Sequence, residues 1–285
     1  MANRDWEKMT PHTVDLEGET VHWDQEMSYG QYLDLERLLA CQHPNSGQHD
    51  EMLFIVLHQV SELWLKQCLH EAHAAADHIR KDELKPAFKM LSRIARIQEQ
   101  MIHVWEVLVT MTPSDYACFR DSLGQSSGLQ SYQYRELEFL LGNKNPRMVE
   151  VHRNHRQHYE RLTQVLHEPS IYDISLQLLK RRGFDIPAAY VKRDWSQPYQ
   201  PSAKVEQAWA EIYRHTDKYW DLYELAEKLV DTEYNFQKWR FSHMKTVERI
   251  IGYKRGTGGT AGVAYLAKAL DLKFFPELWS VRTAM

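Results

Sequence analysis

The chain has 285 residues, with 35 Lys and Arg against 39 Asp and Glu, a net charge of −4, and 43% hydrophobic residues. That apolar content is ample for a sizeable core, and the slight acidity removes any global electrostatic reason to bind nucleic acid. Twelve Gly and ten Pro are few for this length, so together with long apolar-periodic runs they predict an all-α protein, read as a single domain over residues 1–285. The first twenty residues carry no apolar core of signal-peptide length. The longest strongly apolar run, Met52 to Leu57, is too short to cross a bilayer, so a soluble, cytoplasmic protein with no membrane partner is expected. Cys41, Cys68 and Cys118 are widely spaced without a CxxC pair, which supports neither a disulfide framework nor a structural zinc site. A CxxCH attachment motif is also missing, so any haem would be held non-covalently.

Residues 1–27 read as polar and irregular, followed by a short amphipathic helix traced by Tyr29, Tyr32, Leu33, Leu35 and Leu38 or Leu39. After the loop His43 to Gly47, Asp50 and Glu51 open a long helix reaching about Lys81, their charges complementing the helix dipole. Pro86 fits the first turn of the next helix, which extends to about Val109. Thr112-Pro113-Ser114-Asp115 combines an N-cap, a proline at the first helical position and a capping-box acid, predicting a short helix through Tyr116 and Arg120. Gly124 to Gly128 (GQSSG) interrupts the pattern, Leu129 to Leu141 restores it, and Gly142 with Asn145-Pro146 marks a stop and a restart. Pro169, Gly183, Pro187, Pro198 and Pro201 punctuate a less regular stretch. A helical pattern then runs from about Lys204 to Ile251 without internal Pro or Gly, with a break admissible near Thr232.

Two histidines lie on apolar helical faces. His243 shares a stripe with Phe236, Trp239, Val247 and Ile250, and His58 sits near Phe54, Ser61 and Leu65. Each is open to two readings: an ordinary core histidine satisfied by a hydrogen bond, or a ligand-binding imidazole, in the first case one that ligates haem iron. Tyr116 and Arg120 lie one turn apart beside the GQSSG loop, and a planar guanidinium suits a carboxylate, whereas a surface pairing of Arg120 with Asp121 or Glu136 is the bland alternative. The loop Lys254 to Gly262 (KRGTGGTAG) departs from both P-loop and GxGxxG patterns and follows a helix. It reads equally as a simple glycine-rich turn or as a mobile lid with the Thr257 hydroxyl over a polar ligand. His152, His155 and His158 are crowded by arginines and read as a solvated face, not a cation site. No GxSxG elbow is present, so chemistry must come from a cofactor.

Three blocks, residues 49–66 (HDEMLFIVLHQVSELWLK), residues 112–146 (TPSDYACFRDSLGQSSGLQSYQYRELEFLLGNKNP) and WRFSHM with GYKRGTGGTAGVAYL within residues 239–266, resemble the bacterial tryptophan 2,3-dioxygenases. The similarity extends over nearly the whole chain and is weakest in residues 1–25 and 147–203. It implies an all-helical homotetramer with long central helices, binding one haem b per subunit. The implied reaction inserts O2 across the indole C2–C3 bond of L-tryptophan to give N-formyl-L-kynurenine, the first step of the kynurenine route.

By the family pattern His243 is the iron ligand and His58 the distal histidine that meets the indole N–H. Arg120 matches the partner of the substrate carboxylate, with Tyr116 beside it, and Thr257 matches the contact to the ammonium group. Phe54 and Tyr134 match pocket walls, and Ser127 and Gly128 the loop above the haem. Tyr29, Tyr32 and Leu33 match residues that an N-terminal arm, about residues 1–40, lends to a neighbouring subunit. The rival readings are a haem sensor or carrier without turnover, a helical scaffold with no cofactor, and a dioxygenase of broader indoleamine range.

Overall fold

The apolar periodicities organise a helical protein. In the computed structural model, residues 11–23 and 27–285 are described, and they fall into two compact units that divide between Asn45 and Ser46. The expectation of a purely irregular start is corrected within the first unit, where β1 (His12–Leu16) and β2 (Glu19–Trp23) pair antiparallel with Val14 opposite Val21. Glu17 and Gly18 both take positive φ, the two-residue turn whose twist matches a hairpin. Two strands of five residues are too short for their alternation to register against a polar background. The amphipathic segment that follows is split into α1 (Tyr29–Leu33) and α2 (Leu35–Leu39), because Asp34 adopts φ 54° between them. Ser28 and Gln31 close a capping box at its start.

The second unit is built on three long helices. α3 (His49–Arg80) turns through Asp82, at φ 62°, into α4 (Leu84–Leu108), and α4 packs along both α3 and α12 (Trp220–Ile251). α4 owes this central position to a stripe of Ala87, Leu91, Ile94, Met101, Trp105 and Leu108, all buried at helical spacing. α5 (Pro113–Phe119) begins with the expected capping box, the Thr112 hydroxyl accepting from the Asp115 amide and the Asp115 carboxylate from the Thr112 amide. A 3₁₀ turn, Arg120–Leu123, continues it.

α6 (Tyr132–Leu141) starts three residues later than Leu129, because Gly128–Gln130 forms a separate 3₁₀ turn before Ser131 caps the helix. The segment 147–203 holds α7 (Arg147–Glu150), α8 (Arg156–Leu166), α9 (Ile171–Arg181) and α10 (Ala188–Val191). The presumed solvated face of its histidines is corrected at His152, which is buried.

The break expected near Thr232 lies instead at residues 215–219, between α11 (Ala203–Arg214) and α12. α11 packs on α14 (Pro276–Ala284) while α12 packs on α4, so one continuous helix could not serve both partners. Thr232 is buried inside α12, its hydroxyl donating to the Lys228 carbonyl at 2.9 Å. α13 (Val263–Leu270) follows α12 after the glycine-rich loop. Among the described residues no helix is long and apolar enough to cross a membrane.

Candidate functional site

The second unit encloses a cavity of about 220 Å³ whose walls come from α3, α4, α5, α6, α12, α13 and two loops. It gathers Phe54, His58, Tyr116, Ser127, Gly128, Tyr134, Thr257 and His243, residues spread over about 200 positions of sequence, on the order of a whole domain's length. Tyr29, Tyr32 and Leu33 belong to the first unit, where they are 74%, 70% and 40% exposed.

His243 lies on α12 with its ring stacked on Trp105 of α4, centroids 4.6 Å apart and planes within 12°. Trp239, one turn earlier, lies 5.7 Å away. Among the described residues no group hydrogen-bonds either ring nitrogen of His243. Burial pushes its pKa down to about 4, with the neighbouring His58 adding to the effect, so the ring is a neutral imidazole at physiological pH. The hydrogen bond that a satisfied core histidine would make is not found among the described residues.

His58 is held differently. Its Nδ1 donates to the Phe54 carbonyl at 2.7 Å, and its ring lies 4.2 Å from that of Phe54. Burial lowers its pKa, opposed by the bond to Phe54 and by the Glu62 carboxylate. With Nδ1 carrying the proton of a neutral ring, Nε2 is a bare acceptor. One nitrogen of His58 is thus satisfied by its own helix, and the residue lines the cavity.

Arg120 stands at the margin. It lines an adjoining hollow of about 270 Å³, and Tyr116 forms part of the wall of both spaces. Nη2 of Arg120 donates to the Arg255 carbonyl at 2.7 Å, while its buried Nε has no partner among the described residues. Burial raises the Tyr116 pKa, partly opposed by the charge and hydrogen bond of Arg120. The surface pairing with Asp121 or Glu136 is not formed; Glu136 is instead bonded to His73 and Arg161.

The glycine-rich loop closes on the GQSSG loop. The Thr257 hydroxyl donates to the Ser126 carbonyl. A Cβ on Gly258 would lie 2.7 Å from the Ser127 Cβ, so only glycine permits this approach. Gly262, at φ 59°, would place a Cβ 2.6 Å from the Lys254 carbonyl oxygen, which explains why the loop ends on a glycine. The loop thus joins Arg120, through Arg255, to the roof of the cavity.

An apolar cavity with one neutral, unpartnered imidazole and a second imidazole whose tautomer is fixed is suited to a flat iron-bearing cofactor and a small aromatic ligand. The family model described as tryptophan 2,3-dioxygenase matches residues 16–167 and 162–285. The chain belongs to the tryptophan 2,3-dioxygenase family. It is 59% identical over 261 residues to the tryptophan 2,3-dioxygenase of Erythrobacter litoralis, covering 92% of this chain and 99% of that one. The corresponding proteins of Ralstonia pickettii and Bacillus thuringiensis are 55% and 54% identical, over 92% and 93% of this chain and 94% and 96% of theirs.

Sequence reasoning missed several walls of this tryptophan 2,3-dioxygenase cavity, among them Trp105, Glu62, Arg135 and Thr246. Trp105 has the spacing of an ordinary core residue on α4, and only the packing of α4 against α12 brings it to His243. Its indole Nε1 and that of Trp239 are buried without a hydrogen-bond partner among the described residues, a polar deficit of the kind that a bound ligand or water satisfies. Arg135 carries a sequence signal of a kind, since an arginine within the run of buried residues on α6 needs a partner.

Proposed function

We propose that this chain oxidises L-tryptophan with O2 to N-formyl-L-kynurenine, using a haem b held non-covalently by His243. Family membership supports the activity. The observation that carries the site assignment is the contrast between two imidazoles on one apolar cavity: His243 without a hydrogen-bond partner and His58 with its Nδ1 engaged. Such a neutral, desolvated His243 would hold the iron through a lone pair without first shedding a proton. Haem, when bound there, supplies the ferrous iron that binds and activates O2.

The protein's own part is to bind, orient and exclude water. In this reading Nε2 of His58 accepts the indole N–H, which fixes the ring without removing its proton; that hydrogen remains on nitrogen in the formamide product. Phe54 and Tyr134 confine the indole, and Ser127 and Gly128 form the loop above the haem. The Arg120 fork, with Tyr116 beside it, takes the substrate carboxylate in exchange for the Arg255 carbonyl it holds now. Thr257 meets the ammonium group. Because Arg255 and Thr257 share one loop, substrate capture and lid closure are coupled.

The indole C2–C3 double bond is cleaved, each carbon receives one oxygen atom, and no external electrons or water enter the balance. We further assign the enzyme to the cytoplasm as a homotetramer with one haem per subunit, in which N-terminal arms, about residues 1–40, complete neighbouring sites. The exposure of Tyr29 and Tyr32 supports an arm that is finished by a partner. The deciding experiment is mass analysis of the product formed by reduced, haem-loaded protein from L-tryptophan under isotopically labelled O2. Formylkynurenine with both labelled atoms is expected. A haem spectrum without product would identify a sensor or carrier, and protein that stays colourless with haem would leave a scaffold.

A further inference from the structure

Three histidines at three-residue spacing, His152, His155 and His158, bridge the turn between α7 and α8. Because α7 ends at Glu150 and α8 begins at Arg156, they do not share one helical face. His152 folds inward to 3% exposure, while His158 is half-buried and His155 exposed. The rings of His152 and His158 meet edge to face, centroids 6.2 Å apart. His158 also stacks on His155 at 5.3 Å and on Tyr132 of α6 at 3.9 Å.

Nothing around His152 favours its proton. Its Nε2 is buried with no hydrogen-bond partner among the described residues. Burial lowers its pKa, and His158, Arg135 and His155, all basic groups, lower it further. The carboxylates of the adjoining helices are engaged elsewhere: Glu136 with His73 and Arg161, Glu138 with Arg135 and Arg240, Glu150 with the Tyr159 hydroxyl, and Glu160 with Arg156. The Tyr132 phenol stays neutral, its pKa raised chiefly by burial. Arg153, next in sequence, is exposed. A proton on His152 therefore adds a buried cation beside Arg135 without a carboxylate of its own, which is costly.

The seat that this cation strains is small. Val149 of α7 and Leu162, Val165 and Leu166 of α8 pack on Phe139 of α6 in a hydrophobic cluster separate from the main core. Such a satellite opens at a lower free energy than the core around α4. Met148 of α7 touches the Tyr265 hydroxyl of α13, a residue of the cavity wall, at 4.0 Å, so the α7–α8 pair borders the site without belonging to it. We propose that residues 147–166 form an acid-released latch: with His152 neutral the pair stays seated on Phe139, and a proton taken up by His152 drives it off.

The sign follows from linkage. The open form takes the proton near the ordinary histidine value of about 6.5 and the seated form only at lower pH, so acid favours opening. The seated-to-open ratio falls by up to about 10-fold per unit until the seated form titrates as well. Lys144, which holds the far end of α8 and has its pKa pushed down to about 7, is largely protonated in both forms below that window and adds little slope.

The test is amide hydrogen exchange read by mass spectrometry on the full chain supplied with haem, between about pH 7.5 and 5.5 and corrected for intrinsic exchange, in wild type and His152→Phe. Protection of residues 147–166 in wild type should fall roughly 3- to 10-fold per unit below pH 6.5 and return on neutralisation, while α4 and α12 keep theirs. His152→Phe should hold its protection throughout. A wild-type segment indifferent to pH overturns the proposal, as does an equal fall in His152→Phe. Loss spread evenly over α4 and α12 is general acid unfolding and overturns it too. Deuterium uptake at the imidazole C2 of wild type gives a reading that needs no variant: His152 should titrate below its ordinary value, and titration at or above it sinks the latch.

Discussion

His58 donates through Nδ1 to the carbonyl of Phe54, a residue one helical turn earlier, at 2.7 Å, so the imidazole is steered by its own helix and leaves Nε2 as its free acceptor. The role proposed for it is positional: Nε2 would hold the indole N–H, which is far too weak an acid for a neutral imidazole to deprotonate. Replacing His58 with Ala should lower kcat/KM about 10- to 100-fold, the worth of one buried hydrogen bond and its orienting effect. Turnover should persist. A folded, haem-loaded His58→Ala protein with no detectable product would show that the histidine is an obligatory base.

Much of this arrangement was legible in the sequence, for identifiable reasons. The α5 capping box and the ends of α3 and α4 follow from local chemistry that acts within a few residues, and the structure keeps them. His58 and His243 stood out because an imidazole on an apolar stripe needs an explanation wherever the helix goes. Trp105 could not stand out, since an indole on the buried face of α4 is ordinary until α12 places His243 against it. The break before α12 was misplaced for a similar reason: periodicity continues through residues 215–219, and it is the choice of partner, α14 or α4, that divides the helix. The hairpin was missed because ten paired residues with mixed polarity carry too little alternation.

Arg120 should discriminate substrates by their carboxylate. In Arg120→Ala, loss of a charge-assisted bidentate contact should cost about 2–5 kcal/mol of transition-state binding for L-tryptophan. Tryptamine, which lacks the carboxylate, should lose almost nothing further in the variant. Steady-state kcat/KM for both compounds in both proteins measures the coupling, and equal losses would remove the clamp assignment.

The contact between Gly258 and Ser127 tests the lid. A methyl at Gly258 would meet the Ser127 side chain at 2.7 Å, too close for either loop to keep its position. Gly258→Ala should displace the loop at a cost of about 1–3 kcal/mol, seen as a raised KM for tryptophan with an unchanged haem spectrum. The double variant Ser127→Gly with Gly258→Ala removes the obstructing Cβ and should recover much of the loss. Absence of any recovery would mean that the glycine is needed for backbone freedom and not for the approach of the two loops.

Lys144 should give the enzyme a pH-dependent stability unrelated to its catalytic groups. The residue is 1% exposed, and its Nζ donates to the carbonyls of Val165 and Glu168, at 2.7 and 2.8 Å, where α8 ends. Burial pushes its pKa down to about 7, with the Asp173 carboxylate partly opposing. In the unfolded chain the same amine titrates near its ordinary value of about 10.4. Between these values the unfolded state holds a proton that the folded state lacks, so stability rises with pH, by up to about 1.4 kcal/mol per unit. Lys144→Met deletes that slope. It also leaves two carbonyls without their donor, but this penalty is the same at every pH. Denaturant unfolding at pH 7 to 9.5 should therefore show wild type gaining steadily on the variant. Parallel profiles would mean that the lysine keeps its charge throughout, stabilised by the two carbonyls against the full cost of its burial.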